Sequence, residues 1–255
     1  MSILKVLGAY ATREGNRGTS TYQVTDTIVI DAGNIMRGCD AAKIDHILLT
    51  HCHMEHIADI PFLIDAFFAQ RKTPLNIYGL AHTLQKFQQH MFNGDIWPDF
   101  TKIPLIGQSV GSVALHEIMP NKILHIGGVK FKPILTTHTV PTVGFVIEAD
   151  GSCIYLAGDT YKCKAIWDEI NSNRAIKALV LECTYPTAMS ELARTHGHLT
   201  PTMLREELIK LKRTDLNIYI AHLNPMMAGS IIYELSNHPL TVNMTVLDDG
   251  DAITY

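Results

Sequence analysis

Leu48–Ile60 reads LLTHCHMEHIADI: an apolar start, then three histidines and a glutamate within six positions (His51, His53, Glu55, His56), then a return to apolar residues. The stretch just before it, IDHILLT (Ile44–Thr50), is a short apolar run of the kind that forms a buried strand. Clustered imidazoles repel one another once protonated and fill a core poorly, so their place at a strand end needs a chemical reason. Successive side chains of an extended chain point to opposite faces, which puts His51 and His53 on one side and Cys52 on the other. A turn after His53 brings Glu55 and His56 into the same space from the opposite side. Imidazoles and a carboxylate converging from two sides suit one or two first-row divalent cations.

Three further residues each stand just beyond an apolar strand: His138 after KPILTT, Asp159 after CIYLAG and His222 after LNIYIA. Each alone reads as a buried histidine or a turn aspartate; together they repeat one idea, side chains delivered from strand ends to one edge. Outward from these, ILKVLGA, STYQV and TIVIDAG are strands separated by the turn-rich REGNRG, and LNIYG, SVALHEIM, ILHIGGVKFKPILTTHT, TVGFVIEAD, SCIYLAGDT, ALVLECTY and LNIYIAHLNP continue the series. Helical spacing marks DIPFLIDAFFAQRK, with Asp59 as N-cap and Pro61 in the first turn, then LAHTLQKFQQHMF, KAIWDEIN and TPTMLREELIKLK, which Thr200 caps. His82 and His90 read as ordinary surface residues of their helix, and KLKR (Lys210–Arg213) as a solvated helix end. TVNMTVLDDGDAITY closes the chain as two short strands around an Asp249-Gly250 turn. No linker or low-complexity tract interrupts residues 1–255. The expectation is a single-domain α/β fold, an αββα sandwich of two packed mixed sheets flanked by helices.

The chain has 255 residues, 47% of them hydrophobic, enough for a large core. Twenty-one basic residues against 25 acidic, a formal net charge of −4, disfavour a nucleic-acid partner, whose phosphates demand positive charge. No apolar run reaches the ~18 residues of a membrane span, and MSILKVLGAYATREG has no secretory-signal pattern. Five scattered cysteines with no C-x-x-C pair argue for a reducing compartment, so the expected location is cytoplasmic.

The pattern of ligand-type residues resembles the metallo-β-lactamase superfamily, whose H-x-H-x-D-H signature is followed by His, Asp and His after successive strands. The resemblance covers nearly the whole chain. It implies that His51, His53 and His138 hold one metal, that Glu55, His56 and His222 hold a second, and that Asp159 bridges the two. Asp31, in the strand-end IDAG, would order the loop. Glu55 departs from the family's aspartate; its longer side chain reaches a ligand position if the loop recedes, or becomes a partner of a histidine instead. Two divalent ions are expected, zinc first, with manganese and iron as the alternatives.

Within that superfamily, HMFNGDIWPDFTKIP (His90–Pro104), LVLECTYP and GHLTP (Gly197–Pro201) resemble the class II cyclic-nucleotide phosphodiesterases, which carry F-N-x-x-I-W-P, E-x-S/T-Y-P and G-H-L-T-P segments. That resemblance implies hydrolysis of 3′,5′-cyclic nucleotides such as cAMP and cGMP to 5′-monophosphates through a metal-bound hydroxide. Asp159 would be catalytic as well as a ligand, and His198, hydrogen-bonded by Glu182, would assist the departing 3′-oxygen. Asn93 and Trp97 would shape the nucleotide pocket, Trp97 by stacking on the base. The partner is thus a small-molecule nucleotide, and size and superfamily favour a homodimer. The alternatives are a phosphodiesterase of the tRNase Z type, which shares the strand-end glutamate and the histidine, and a non-hydrolytic diiron oxygen-binding or redox protein, for which Glu55 adds carboxylate character.

Overall fold

The computed structural model describes residues 2–237 and 243–255. One sheet runs, in spatial order, β14 (Ala252–Thr254), β1 (Ile3–Gly8), β2 (Thr21–Thr25), β3 (Ile28–Ile30), β4 (His46–Leu48), β5 (Leu75–Gly79) and β6 (Val113–Glu117). The other runs β13 (Met244–Val246), β12 (Asn217–Ala221), β11 (Ile176–Glu182), β10 (Ser152–Leu156), β9 (Val143–Ala149), β8 (Val129–Leu135) and β7 (Leu124–Ile126). Each sheet joins an antiparallel part to a parallel part: β3 to β6 are parallel in the first, β10 to β13 in the second. Parallel neighbours need crossovers. In the first half these carry α1 (Ile35–Gly38), α2 (Met54–Ile57), α3 (Ile60–Phe67) and α4 (Ala81–His90). In the second they carry α5 (Lys164–Ser172), α6 (Ser190–His196), α7 (Pro201–Leu208) and α8 (Ala228–Ser236).

The strand period sorts the core into two layers. Ile28, Ile30 and Leu48 point into the space between the sheets, while Val29 and Ile47 point the other way, under the helices of the first half. Strands β10 and β11 are buried on both faces, which is why they read as unbroken apolar runs. The result is the expected order of layers, helices, sheet, sheet, helices. Phe145 lies fully buried between the sheets, edge-on to Phe131 at 6.5 Å. Phe145→Ala is expected to cost about 3–5 kcal/mol of stability, read as a lowered midpoint of urea unfolding of the metal-free protein with unchanged slope.

Four expectations need correction. The run from Ile123 to Thr139 is two strands, because Gly127 and Gly128 (φ 56° and 82°) form the two-residue turn that pairs β7 with β8. The last two strands do not pair with each other: β13 lies beside β12 and β14 beside β1, so the chain crosses from one sheet to the other at Asp249-Gly250. The Asp249 carboxylate secures that crossing by accepting from the Ala9 and Gly18 amides at 2.8 and 2.5 Å. Asp59 stands at the N-cap position of α3 but makes no cap; its carboxylate holds Arg13 and the Met36 amide. Arg213 is buried rather than solvated, forked on Asp215 at 2.7 and 2.8 Å. Thr200 does cap α7, accepting from the Met203 amide. Helices α6 and α8 were not expected.

Candidate metal centre

The side chains singled out in the sequence are carried by the C-terminal ends of strands on both sheets, the edge where open α/β sheets place their ligands. Asp31 follows β3, His51 and His53 follow β4, His138 follows β8, Asp159 follows β10, Glu182 ends β11 and His222 follows β12. His53 is the last extended residue before α2, and that single turn of helix carries Glu55 and His56 back over the strand end. The side-chain alternation expected of a strand holds in the extended segment beyond β4.

Two groups of ligand atoms form, each within 4.8 Å of one another: His51, His53, His138 and Asp159, then Glu55, His56, Asp159 and His222. In the first, His53 Nδ1 lies 3.0 Å from His51 Nε2 and 3.2 Å from His138 Nε2. A tetrahedral ion with ~2.0–2.1 Å bonds to nitrogen sets its ligands about 3.3 Å apart, so this spacing fits one. Asp159 lies between the groups. Its Oδ2 is 3.7 Å from His51, 3.9 Å from His138 and 3.3 Å from His56, and its Oδ1 is 3.3 Å from His222. Glu55 belongs to the second group, so the extra methylene is accommodated.

The outer nitrogen of four rings is tied down. His51 Nδ1 meets Thr50 Oγ1 at 3.0 Å, His138 Nδ1 the Gly197 carbonyl at 3.0 Å, His56 Nδ1 the Asp31 carboxylate at 2.7 Å, and His222 Nδ1 Thr184 Oγ1 at 3.0 Å. Such partners orient each ring with Nε2 inward. Three of the inward atoms, His56 Nε2, His222 Nε2 and Asp159 Oδ2, are buried without any hydrogen-bond partner. Buried polar atoms are almost always satisfied. Converging buried atoms that each present a lone pair are what a cation would satisfy, so the residues present fit a dinuclear centre.

Electrostatics agree with that fit. Burial and the neighbouring His56 push His51 well below its usual range, and burial takes His222 down to about 4 against the pull of Asp159. Both are therefore neutral imidazoles, the form that binds metal. His56 is the exception: burial opposes its charge, but Asp159 and Asp31 raise it well above the usual value, so a cation would have to displace its proton. Burial likewise opposes charge on Asp159, but the surrounding imidazoles hold its carboxyl far below the usual range.

Asp31 was expected to order the loop, and it does more. At φ 58° its carboxylate accepts from the Thr50 amide and hydroxyl as well as from His56. Asn tolerates the same left-handed backbone, so Asp31→Asn removes the charge and one of the two acceptor oxygens without forcing the loop. It is expected to weaken metal binding about 10–100-fold, read by competition with a chelator. His222 also has φ 58°; its amide donates to the Ala9 carbonyl at 2.6 Å, which pins the ring.

A third cluster adjoins the second group. His198 donates from Nδ1 to Glu182 Oε1 at 2.7 Å, and its ring stands 5.0 Å from His138 and 5.3 Å from His222. Glu182 is buried but fully occupied, accepting also from the amides of Thr160 and Leu199 and from the Thr184 hydroxyl. A hydroxyl has one proton to give, so Thr184 donates to Glu182 and accepts from His222. The Glu182–His198 bond is as the sequence suggested, whereas Thr184, which joins that pair to His222, was not read from it; the threonine of LVLECTYP was its only sign. Burial lowers the His198 pKa, but Glu182 outweighs it and raises it to about 9.

Asn93 and Trp97 lie elsewhere. Asn93 is exposed and its side chain closes its own turn, accepting from the Asp95 and Ile96 amides. Trp97 packs edge-on against Phe62 at 5.5 Å, on the core beneath the outer helices.

A family model described as a beta-lactamase superfamily domain matches residues 27–217. The 3′,5′-cyclic-nucleotide phosphodiesterase 1 of Saccharomyces cerevisiae is 26% identical over 68% of this chain and 54% of its own length. A ribonuclease Z of Mycobacterium bovis is 32% identical over 51% of this chain and 49% of its own. The chain thus spans about half the length of these two relatives. The crystal structure of unliganded yeast PDE1 superposes with a TM-score of 0.80 at 17% identity, covering 99% of both chains, a likeness of fold. Two facing sheets with ligand-type side chains at their strand ends, and a family match over most of the length, agree: this chain belongs to the β-lactamase superfamily domain family and has the metallo-β-lactamase fold.

Proposed function

We propose that this chain is a metal-dependent phosphodiesterase that opens 3′,5′-cyclic nucleotides to 5′-monophosphates. The observation that carries the reading is the buried Glu182–His198 pair standing beside both ligand groups. It is an acid–base device that simple metal storage or oxygen binding does not need. Two divalent ions, with zinc preferred by so histidine-rich a set and manganese or iron as alternatives, would supply Lewis acidity and lower the pKa of water from 15.7 towards ~7. The rest falls to the chain. His51, His53 and His138 would hold one ion, Glu55, His56 and His222 the other, and Asp159 both. With those two carboxylates the site keeps net positive charge, complementary to a phosphodiester anion. His198 holds a proton on Nε2 for the departing 3′-oxygen, and Glu182 keeps the ring charged and aimed. Added cations nearby bring its pKa down from about 9 towards neutrality. The yeast relative's name supports this substrate class. The five unpaired cysteines suit a cytoplasmic location, and a homodimer remains the proposed assembly.

The mycobacterial relative supports a second reading, a ribonuclease of the RNase Z kind; the net charge of −4 weighs against it. One assay separates them. Metal-replete protein of measured metal content is tested on cAMP, cGMP, bis(4-nitrophenyl) phosphate and a precursor tRNA. Turnover of a cyclic nucleotide to the 5′-monophosphate is expected. RNA cleavage with no turnover of any cyclic nucleotide would overturn the proposal.

A further inference from the structure

A cavity of about 440 Å³ opens beside the metal centre, between α2, the start of the loop after His138, and α4. Its walls adjoin the candidate ligands along the chain: Cys52 and Met54, the two neighbours of His53, line it, and so does Val140, two residues after His138, while the ligand side chains themselves do not. Phe87 and Met91 add apolar surface. The facing stripe of α4 is polar: His82, Lys86 and His90 lie four residues apart, one above the other on a single helix face. His82 and His90, which read as ordinary surface histidines, thus line a cavity together with a lysine. Trp97 does not line it.

An apolar floor with a row of nitrogen donors along one side suits a flat heteroaromatic ring that carries acceptors on its edge, and the volume is in the range of small-ligand sites. We propose that this cavity receives the base of the nucleotide, with its ring on the apolar floor and its ring nitrogens or carbonyl oxygens facing Lys86 and the two histidines. The inference rests on the phosphodiesterase reading, and it replaces Trp97 as the contact of the base.

Cys52 makes the proposal testable without catalysis. Among the five cysteines only Cys39 and Cys52 are partly accessible; Cys153, Cys163 and Cys183 are buried. The metal-replete protein is labelled with N-ethylmaleimide alone, with adenosine 5′-monophosphate and with inorganic phosphate, and each site is followed by peptide mass spectrometry. Saturating AMP, verified by calorimetry on the same sample, is expected to slow labelling of Cys52 about tenfold or more while Cys39 is unaffected and phosphate protects far less. Met91→Trp, which fills the cavity away from the ligands, is expected to weaken AMP binding about tenfold or more and to move phosphate binding less. Bound AMP that leaves Cys52 unprotected, or equal protection by phosphate, overturns the base site while the phosphodiesterase reading stands if cyclic nucleotides are turned over. Absence of both AMP binding and cyclic-nucleotide turnover removes both.

Discussion

Asp159→Ala is expected to leave the purified protein folded, nearly free of metal and without measurable phosphodiesterase activity. Asp159 is the one carboxylate shared by both ligand groups, with Oδ2 turned to His51, His56 and His138 and Oδ1 to His222. Its loss would leave imidazoles and Glu55 to balance two dications, which would repel strongly when held close together in a buried site. Loss of an indirect partner already costs about 10–100-fold in metal affinity; removing a shared ligand should exceed that. Folding is a separate matter: His56 keeps the Asp31 carboxylate at 2.7 Å as its counter-charge, so the substitution lowers stability without stranding a buried charge. Metal content after gel filtration, turnover of a phosphodiester, and thermal unfolding with and without chelator read the three effects apart. In the wild type, chelator should lower the unfolding temperature, since ligands that bind only the native state stabilise it by about 2.7 kcal/mol at a hundred times Kd; in the variant chelator should change little. Full metal content with wild-type turnover would remove Asp159 from the centre.

His198→Ala is expected to lower kcat for a cyclic nucleotide about 10²–10⁴-fold with both ions retained. His198 belongs to neither principal ligand group, and its Nδ1 is committed to Glu182. The role assigned to it is delivery of a proton to a poor leaving group, an alkoxide. A 4-nitrophenolate leaves without a proton, so the same variant should lose much less on bis(4-nitrophenyl) phosphate. That contrast separates an acid from a merely structural residue, which would depress both substrates alike. Equal losses, or loss of metal from the variant, would sink the assignment. Glu182→Gln should show the same contrast in weaker form, because it acts through the imidazole.

The centre was legible where spacing along the chain translates directly into direction. H-x-H on an extended segment and E-H on the following turn point to one place for local geometric reasons, and the structure gathers them with His138, Asp159 and His222. Legibility failed where the partner is remote. Thr50 and Thr184 look like any strand-end threonine, yet each orients a histidine ring, Thr184 across 38 residues. Asp59 has the residue type and position of an N-cap, but Arg13 and the Met36 amide, brought close only by folding, compete for its carboxylate. His82 and His90 have the spacing of an ordinary amphipathic helix; only the approach of α2 and the loop after His138 turns that face into a cavity wall.

The amino-acid order by itself determined the layers of the fold and the ligand-type residues at its strand ends, because period-two apolar runs and short-range spacing act within a few residues. The tertiary structure alone decided which sheet each terminal strand joins, which threonine, carbonyl or carboxylate holds the outer nitrogen of four of the imidazoles, and which remote side chains wall a cavity between α2 and α4. Those are matters of which distant groups compete for one another once the two sheets close, and hydrogen bonds and cavities between remote segments leave no local trace in the chain.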